Sequence, residues 1–329
     1  MTTFTSTLQA FFSERLTQQR NASPHTISSY RDSLKMLLTY ASTQTDTPAS
    51  ELDIPTLDAA LITRFLQHLE TDRGNSIATR NQRLAAIHSL YRYAALRHPE
   101  HAAIINRVLA IPAKRHETAL LTFLEEHELT ALLQACDRDT PTGRRDHSLL
   151  QLASETGLRR SELINLTISD LHLGAGAHVR CTGKGRKNRV TPITKHTRAT
   201  LRAYLKERPA APTDILFPSR HGTPLSPDAL ERRLALYVQR ATTTQPSLAR
   251  KRITLHTLRH TAAMRLLHAG IDTSTIAMWL GHENVNTTQK YLHSDLRTKQ
   301  RALDRTRPAH VPPGRYQPTD RILKFLEDL

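Results

Sequence analysis

"LHTLRHTAAMRLLHAG", residues 255–270, reads as a helix closed by Gly270, and it carries His256 and Arg259 three positions apart. Side chains at that spacing lie on one helical face, so the two emerge together. A second helix ends at Gly281, and the run "LGHENVNTTQKY", residues 280–291, then places His282 and, nine positions later, Tyr291. A phenol with its ordinary pKa of about 10 is protonated at neutral pH and a weak nucleophile. Taken alone, Tyr291 is a packing residue, one of eight tyrosines in the chain. Any larger role has to come from residues elsewhere.

Two such stretches lie upstream. "TGLRRSEL", residues 156–163, puts Arg159 just past a helix end, with Glu162 one turn later. "TGKGRKNR", residues 182–189, puts Lys184 at a hairpin tip, with Arg186, Lys187 and Arg189 close behind. Each piece has a plain reading. Arg159 suits a helix C-terminal dipole, Lys184 is one cation in a solvated turn, and His256 with His260 has the i, i+4 spacing of a metal pair. The metal reading is weak, because "HTLRH" has a threonine where a zinc-protease helix needs glutamate, and no cysteine or third patterned ligand lies nearby.

Read together, the residues have one chemical meaning. Two arginines hold the non-bridging oxygens of a phosphodiester and do most for the added charge of a pentacoordinate transition state. Phosphorus is then attackable without a metal, and neither a metal nor a cofactor is expected. A lysine on a hairpin donates a proton to the departing sugar oxygen, and histidines bond the phosphate or manage the phenol's proton. Tyr291 becomes the nucleophile. The phosphotyrosine it forms stores the bond energy, so a hydroxyl from another strand reverses the step without ATP.

This pattern of Arg, Lys, His-x-x-Arg, His and Tyr resembles the tyrosine recombinases of the phage-integrase family, over essentially the whole chain. It falls on Arg159, Lys184, His256, Arg259, His282 and Tyr291, with the family's accessory acidic residue at Glu162. The resemblance implies a helical, SAM-like core-binding domain and a catalytic domain that together clamp DNA. It also implies a 3′-phosphotyrosine with a free 5′-hydroxyl, two strand exchanges through a Holliday junction, and a tetramer on paired recombination sites in double-stranded DNA. Accessory or sister recombinases would be further partners. The run after the nucleophile, "YLHSDLRTKQRALDRT", looks most like transposon-borne members. A type IB topoisomerase resembles the site as well, but the N-terminal helical domain and a tail suited to protomer exchange tell against it. A non-catalytic DNA-binding relative is the other alternative, and the intact set of residues argues against that.

Composition agrees with a polyanionic partner. Lysine and arginine number 46 against 30 acidic residues, a formal net charge of +16, and they recur through both halves of the chain. Only Cys136 and Cys181 are present, too few for a disulfide framework or a thiolate zinc site, which suits a reducing compartment. No export signal or apolar run long enough to span a bilayer is found, so a cytoplasmic, nucleoid-associated protein is expected.

The chain is read as mostly α with a small antiparallel sheet, in a domain over 1–108, a linker at 109–118, a catalytic domain over 119–314 and a docking helix over 315–329. Four helical stripes fill the first domain: Leu8, Phe11, Phe12 and Leu16; Ile27, Tyr30, Leu34, Leu37 and Leu38; Leu61, Phe65, Leu66 and Leu69; Leu84, Ile87, Leu90 and Tyr91. "SPHT" starts the second helix, with Ser23 as cap and Pro24 in the first turn. Arg31 and Lys35, and Arg80 and Arg83, are solvated faces or cations along a DNA backbone. The resemblance decides for DNA, and Arg186, Lys187 and Arg189 are assigned to it as well. In the second domain "TFLEE" predicts a capping box between Thr122 and Glu125. A helix through "HSLLQLASET" ends at Gly157, and one in "SPDALERRLALYV" starts at Ser226 and Pro227. Val179 on one side, and Val190 and Ile193 on the other, flank the basic hairpin tip. Finally, Ile322, Phe325, Leu326 and Leu329 form one apolar stripe behind the proline-bearing tether "RPAHVPPG". A helix so short needs a groove, which is expected on a neighbouring protomer.

Overall fold

The structure, a computed structural model, describes residues 4–115, 121–183, 188–208 and 211–281. The chain divides into two compact units, Met1–Thr118 and Ala119–Leu329.

The first unit is helical. Helix α1 (Phe4–Ala10) runs into a π-helical stretch (Phe11–Gln19), followed by α2 (Pro24–Thr45), α3 (Ala59–Thr71), α4 (Ile77–Ala94) and α5 (Ala102–Leu109). Polar side chains satisfy the first free N–H groups, as a helix start demands. Ser23 accepts from the Thr26 N–H at 3.2 Å, with Pro24 in the first turn; Asp58 accepts from Leu61 at 2.8 Å, and Ser76 from Thr79 at 3.2 Å. The predicted stripes supply the core, with Phe11, Leu34, Leu37, Phe65, Leu66 and Ile87 all buried. The sequence predicts a plain helix through the first stripe. The π turn, with the Arg20 N–H on the Arg15 carbonyl at 3.1 Å, instead lets Phe11 and Leu16, five positions apart, bury together. Helix α5 lies outside the four stripes and adds Ile105 and Val108 to the core.

The second unit contains α6 (Glu126–Gln134), α7 (Pro141–Thr156), α8 (Arg160–Ile164), β1 (Leu171–His172), β2 (His178–Thr182), β3 (Asn188–Pro192), α9 (Lys195–Lys206), α10 (Pro227–Ala241), α11 (Leu255–His268) and α12 (Thr273–Leu280). The three strands form an antiparallel sheet in the order β1-β2-β3. Helix α7 ends on Gly157 in the left-handed conformation, φ 62°, and α10 starts on Ser226 and Pro227, as the sequence indicates.

One local expectation is corrected. The N-cap of α6 is Glu125, whose N–H donates to Glu128 at 2.8 Å, so the box lies three residues beyond Thr122. Buried Glu128 is also held by Lys251 and Ser247, each at 2.6 Å, and those distant partners set the cap. The β-branched flanks of the basic tip pair as the antiparallel strands β2 and β3, with Val179 and Thr191 buried and Val190 58% exposed. Successive strand residues face opposite ways, so Arg189 and Thr191 share the inward face opposite Cys181 and Val179.

Among the described residues, no helix is long and apolar enough to cross a membrane.

Candidate active site

Arg159, Glu162 and Arg259 come together where α7, α8, α11 and the end of α12 meet. Arg159 is the N-cap of α8, and its extended backbone (φ −67°, ψ 152°) carries its N–H to Glu162 Oε2 at 2.7 Å. Its guanidinium donates through Nη1 to Glu162 Oε1 at 2.9 Å and through Nη2 to the Gly281 carbonyl at 2.7 Å. Arg259 is only 3% exposed; its Nη1 donates to the Gly157 carbonyl at 2.6 Å and its Nη2 to the Leu280 carbonyl at 2.7 Å. Two guanidiniums are thus seated on consecutive carbonyls at the C-terminus of α12. The last carbonyls of a helix have no partner within it and carry its negative dipole end, so they suit two cations held side by side.

Glu162 is buried. Burial by itself would push its carboxyl up, but hydrogen bonds from Arg189 and Arg159, with the charge of Arg189, overcome that and hold it at about 2. Its ordinary value is 4.5. A depressed carboxyl adds stability that is present above its ordinary value and lost as pH falls through the folded one. The melting-temperature gap between the wild type and Glu162→Gln is therefore expected to narrow as pH falls from 4.5 toward about 2. A gap that stayed constant over that window would contradict this electrostatic assignment.

Backbone approach is close around this cluster. A Cβ at Gly183, at the end of β2, would lie 3.2 Å from Glu162 Oε1 and 3.2 Å from Arg189 Nη1. One at Gly281, where φ is 65°, would lie 2.8 Å from Arg189 Nη1. Glycine at both places lets the hairpin base and the end of α12 close over the ion pairs.

His256 is exposed on the first turn of α11, with its ring centroid 4.3 Å from that of His260. His256 and Arg259 thus share a helix but differ sharply in burial. Lys184, Arg186, Lys187, His282, Tyr291 and the tail at 315–329 lie outside the described residues.

The expected DNA-facing cations divide. Arg31 and Lys35 are exposed on α2, Arg31 pairing with the adjacent Asp32 at 2.9 Å. Arg83 is half-buried, with Nη1 2.8 Å from the sulfur of Met36. Two assignments are corrected. Arg80 is 5% exposed; it lies 3.6 Å from Glu70 and donates to the Pro112 carbonyl at 3.0 Å, holding the outgoing chain against α4. Arg189 forks onto Glu162, Nη1 to Oε1 at 2.9 Å and Nη2 to Oε2 at 2.7 Å. Strand parity was the available signal, since Val179 and Cys181 mark the inward face and Arg189 pairs opposite Cys181.

Residues 122–297 match the phage integrase family, and residues 9–98 match the phage integrase N-terminal SAM-like domain. The chain belongs to the phage integrase family. It is 51% identical over 322 residues to y4rC of Sinorhizobium fredii, named as an integrase/recombinase, covering 98% of this chain and 97% of that one. It is 34% identical over 284 residues to tyrosine recombinase XerC of Pelotomaculum thermopropionicum, covering 84% and 89%. Its fold matches the XerH site-specific recombinase bound to its palindromic difH substrate, post-cleavage, at a TM-score of 0.69 and 26% identity over 87% and 81% of the two chains. The phage integrase match spans both arginines, Glu162 and the positions of Lys184, His282 and Tyr291.

Proposed function

We propose that this chain is a site-specific recombinase that cleaves and rejoins double-stranded DNA through a 3′-phosphotyrosine on Tyr291. The observation that carries the reading is the seating of Arg159 and Arg259 on consecutive carbonyls, Gly281 and Leu280, immediately before His282 in the chain. Two rigidly held guanidiniums bind a phosphodiester and neutralise the charge that builds during attack. Arg159 is about a third exposed and keeps donors beyond the two that anchor it. Lys184 is assigned to protonate the leaving 5′-oxygen, and His256 and His282 to bond the phosphate or take the phenol's proton. Arg31, Lys35, Arg83, Arg186 and Lys187 are assigned to the DNA backbone.

A net charge of +16 supports a phosphate-rich partner, and the likeness to XerC and y4rC over most of both chains favours recombination over relaxation by a topoisomerase. We assign 1–108 to core binding, 109–118 to the linker and 119–314 to catalysis, acting as a tetramer on paired sites. The stripe of Ile322, Phe325, Leu326 and Leu329 is assigned to a neighbour's catalytic domain. An open cavity of about 760 Å³ whose walls include Leu129, Leu133, Ala262, Leu266 and Trp279 offers it apolar surface. A mobile-element setting fits the run after Tyr291.

The test is a nicked suicide substrate in excess EDTA. The two arginines take the part that magnesium has in many phosphoryl-transfer enzymes, so a covalent protein–DNA adduct is expected to form at its full rate. Strict dependence on a divalent cation would overturn the mechanism.

A further inference from the structure

Arg189 is not part of the family pattern that the sequence shows, and it is buried too deeply to reach along a DNA backbone. Its side chain is 11% exposed, against 31% for Arg159. It crosses from β3 to α8 and meets Glu162 with both ends of its fork, at 2.9 and 2.7 Å. Each Glu162 oxygen takes one donor from each arginine: Oε1 from the two Nη1 atoms, Oε2 from Arg189 Nη2 and the Arg159 N–H. The carboxylate's acceptor sites are thereby filled, and Arg159 can give it only a single prong of its guanidinium. The other prong stays on the Gly281 carbonyl at 2.7 Å.

We propose that Arg189 is a positioning residue for phosphate binding: by saturating Glu162 from the opposite side, it prevents that carboxylate from drawing Arg159 into a closed two-pronged pair. The inference rests on the reading that Arg159 binds the scissile phosphate. With Arg189 present, two arginines share one carboxylate and the cluster keeps a positive charge toward the substrate. Without it, Glu162 and Arg159 neutralise each other, and the free lone pairs compete with the phosphate for the same N–H groups. The remaining described groups facing Glu162 do not replace Arg189. Cys181 on β2 is kept a neutral thiol, pushed by burial to about 11, and Gly183 and Gly281 present no side chain.

The experiment compares Arg189→Met, Glu162→Gln and the double variant by single-turnover adduct formation and by DNA affinity. Adduct formation by the wild type reports on the function itself; the ratio of variant to wild type reports on Arg189. Arg189→Met is expected to form adduct roughly 10- to 100-fold more slowly, the usual loss when a group that orients an active-site residue is removed, with affinity changed less than about 3-fold. Its deficit relative to wild type should shrink as pH is lowered from about 8 to about 5, because the buried carboxyl, having lost a partner that keeps it ionised, takes up a proton and releases Arg159. The double variant removes both charges of the Arg189–Glu162 pair, which keeps the test valid should the single variant fold poorly, and it is expected to be no slower than Arg189→Met. Adduct formation by Arg189→Met at the wild-type rate would overturn the proposal. So would a double variant whose loss is the product of the two single losses, with a deficit independent of pH. That result would make Arg189 a tether for β3 that acts independently of Glu162.

Discussion

Replacing Arg259 with alanine is expected to slow covalent cleavage by roughly 100- to 1000-fold, the range for removing one donor from a pre-organised anion site. The same change should lower stability, because Arg259 is 3% exposed and its two prongs satisfy the carbonyls of Gly157 and Leu280. Each carbonyl left buried without a donor costs about 1–3 kcal/mol. Lysine separates the two effects. It keeps the charge, but a single ammonium cannot span carbonyls at the ends of two different helices and still face a phosphate. Arg259→Lys should therefore recover much of the melting temperature while cleavage remains far below wild type. Single-turnover adduct formation and thermal unfolding measured together check both halves. An alanine variant that cleaved within a few-fold of wild type would remove Arg259 from the chemistry.

Tyr291→Phe is expected to abolish the adduct altogether while DNA affinity stays within about 3-fold, because the hydroxyl serves the attack and the basic surface supplies the affinity. The substitution removes one oxygen and leaves the ring for packing. Gel-resolved adduct and a binding isotherm on the same duplex are the measurements, and residual cleavage at an appreciable fraction of the wild-type rate would assign the nucleophile elsewhere.

Much of this was legible where the signal is local. Ser23 with Pro24 and Ser226 with Pro227 announce α2 and α10, because a side-chain oxygen and a locked φ act within one turn. Gly157 and Gly281 mark helix ends through a left-handed conformation that any sequence reader can anticipate. The residues Arg159, Glu162 and Arg259 were nameable as a set, but the means of holding them was not. The seats are backbone carbonyls, and a carbonyl has no sequence signature. Arg80 and Arg189 failed for a related reason: an arginine in a basic run looks solvated until a buried partner from another element, Glu70 or Glu162, claims it. The α6 cap shifted for the same cause, since Lys251 and Ser247 fix Glu128 from more than a hundred residues away.

The central claim is a covalent bond between Tyr291 and a DNA 3′-phosphate. Trapping the wild-type protein on a nicked suicide substrate in EDTA, digesting it and sequencing the nucleotide-bearing peptide by mass spectrometry reads that bond directly. The account predicts one modified residue, Tyr291, joined to the 3′-phosphate, with a free 5′-hydroxyl on the released strand. A modification on any other residue, or a 5′-linked adduct, would contradict it.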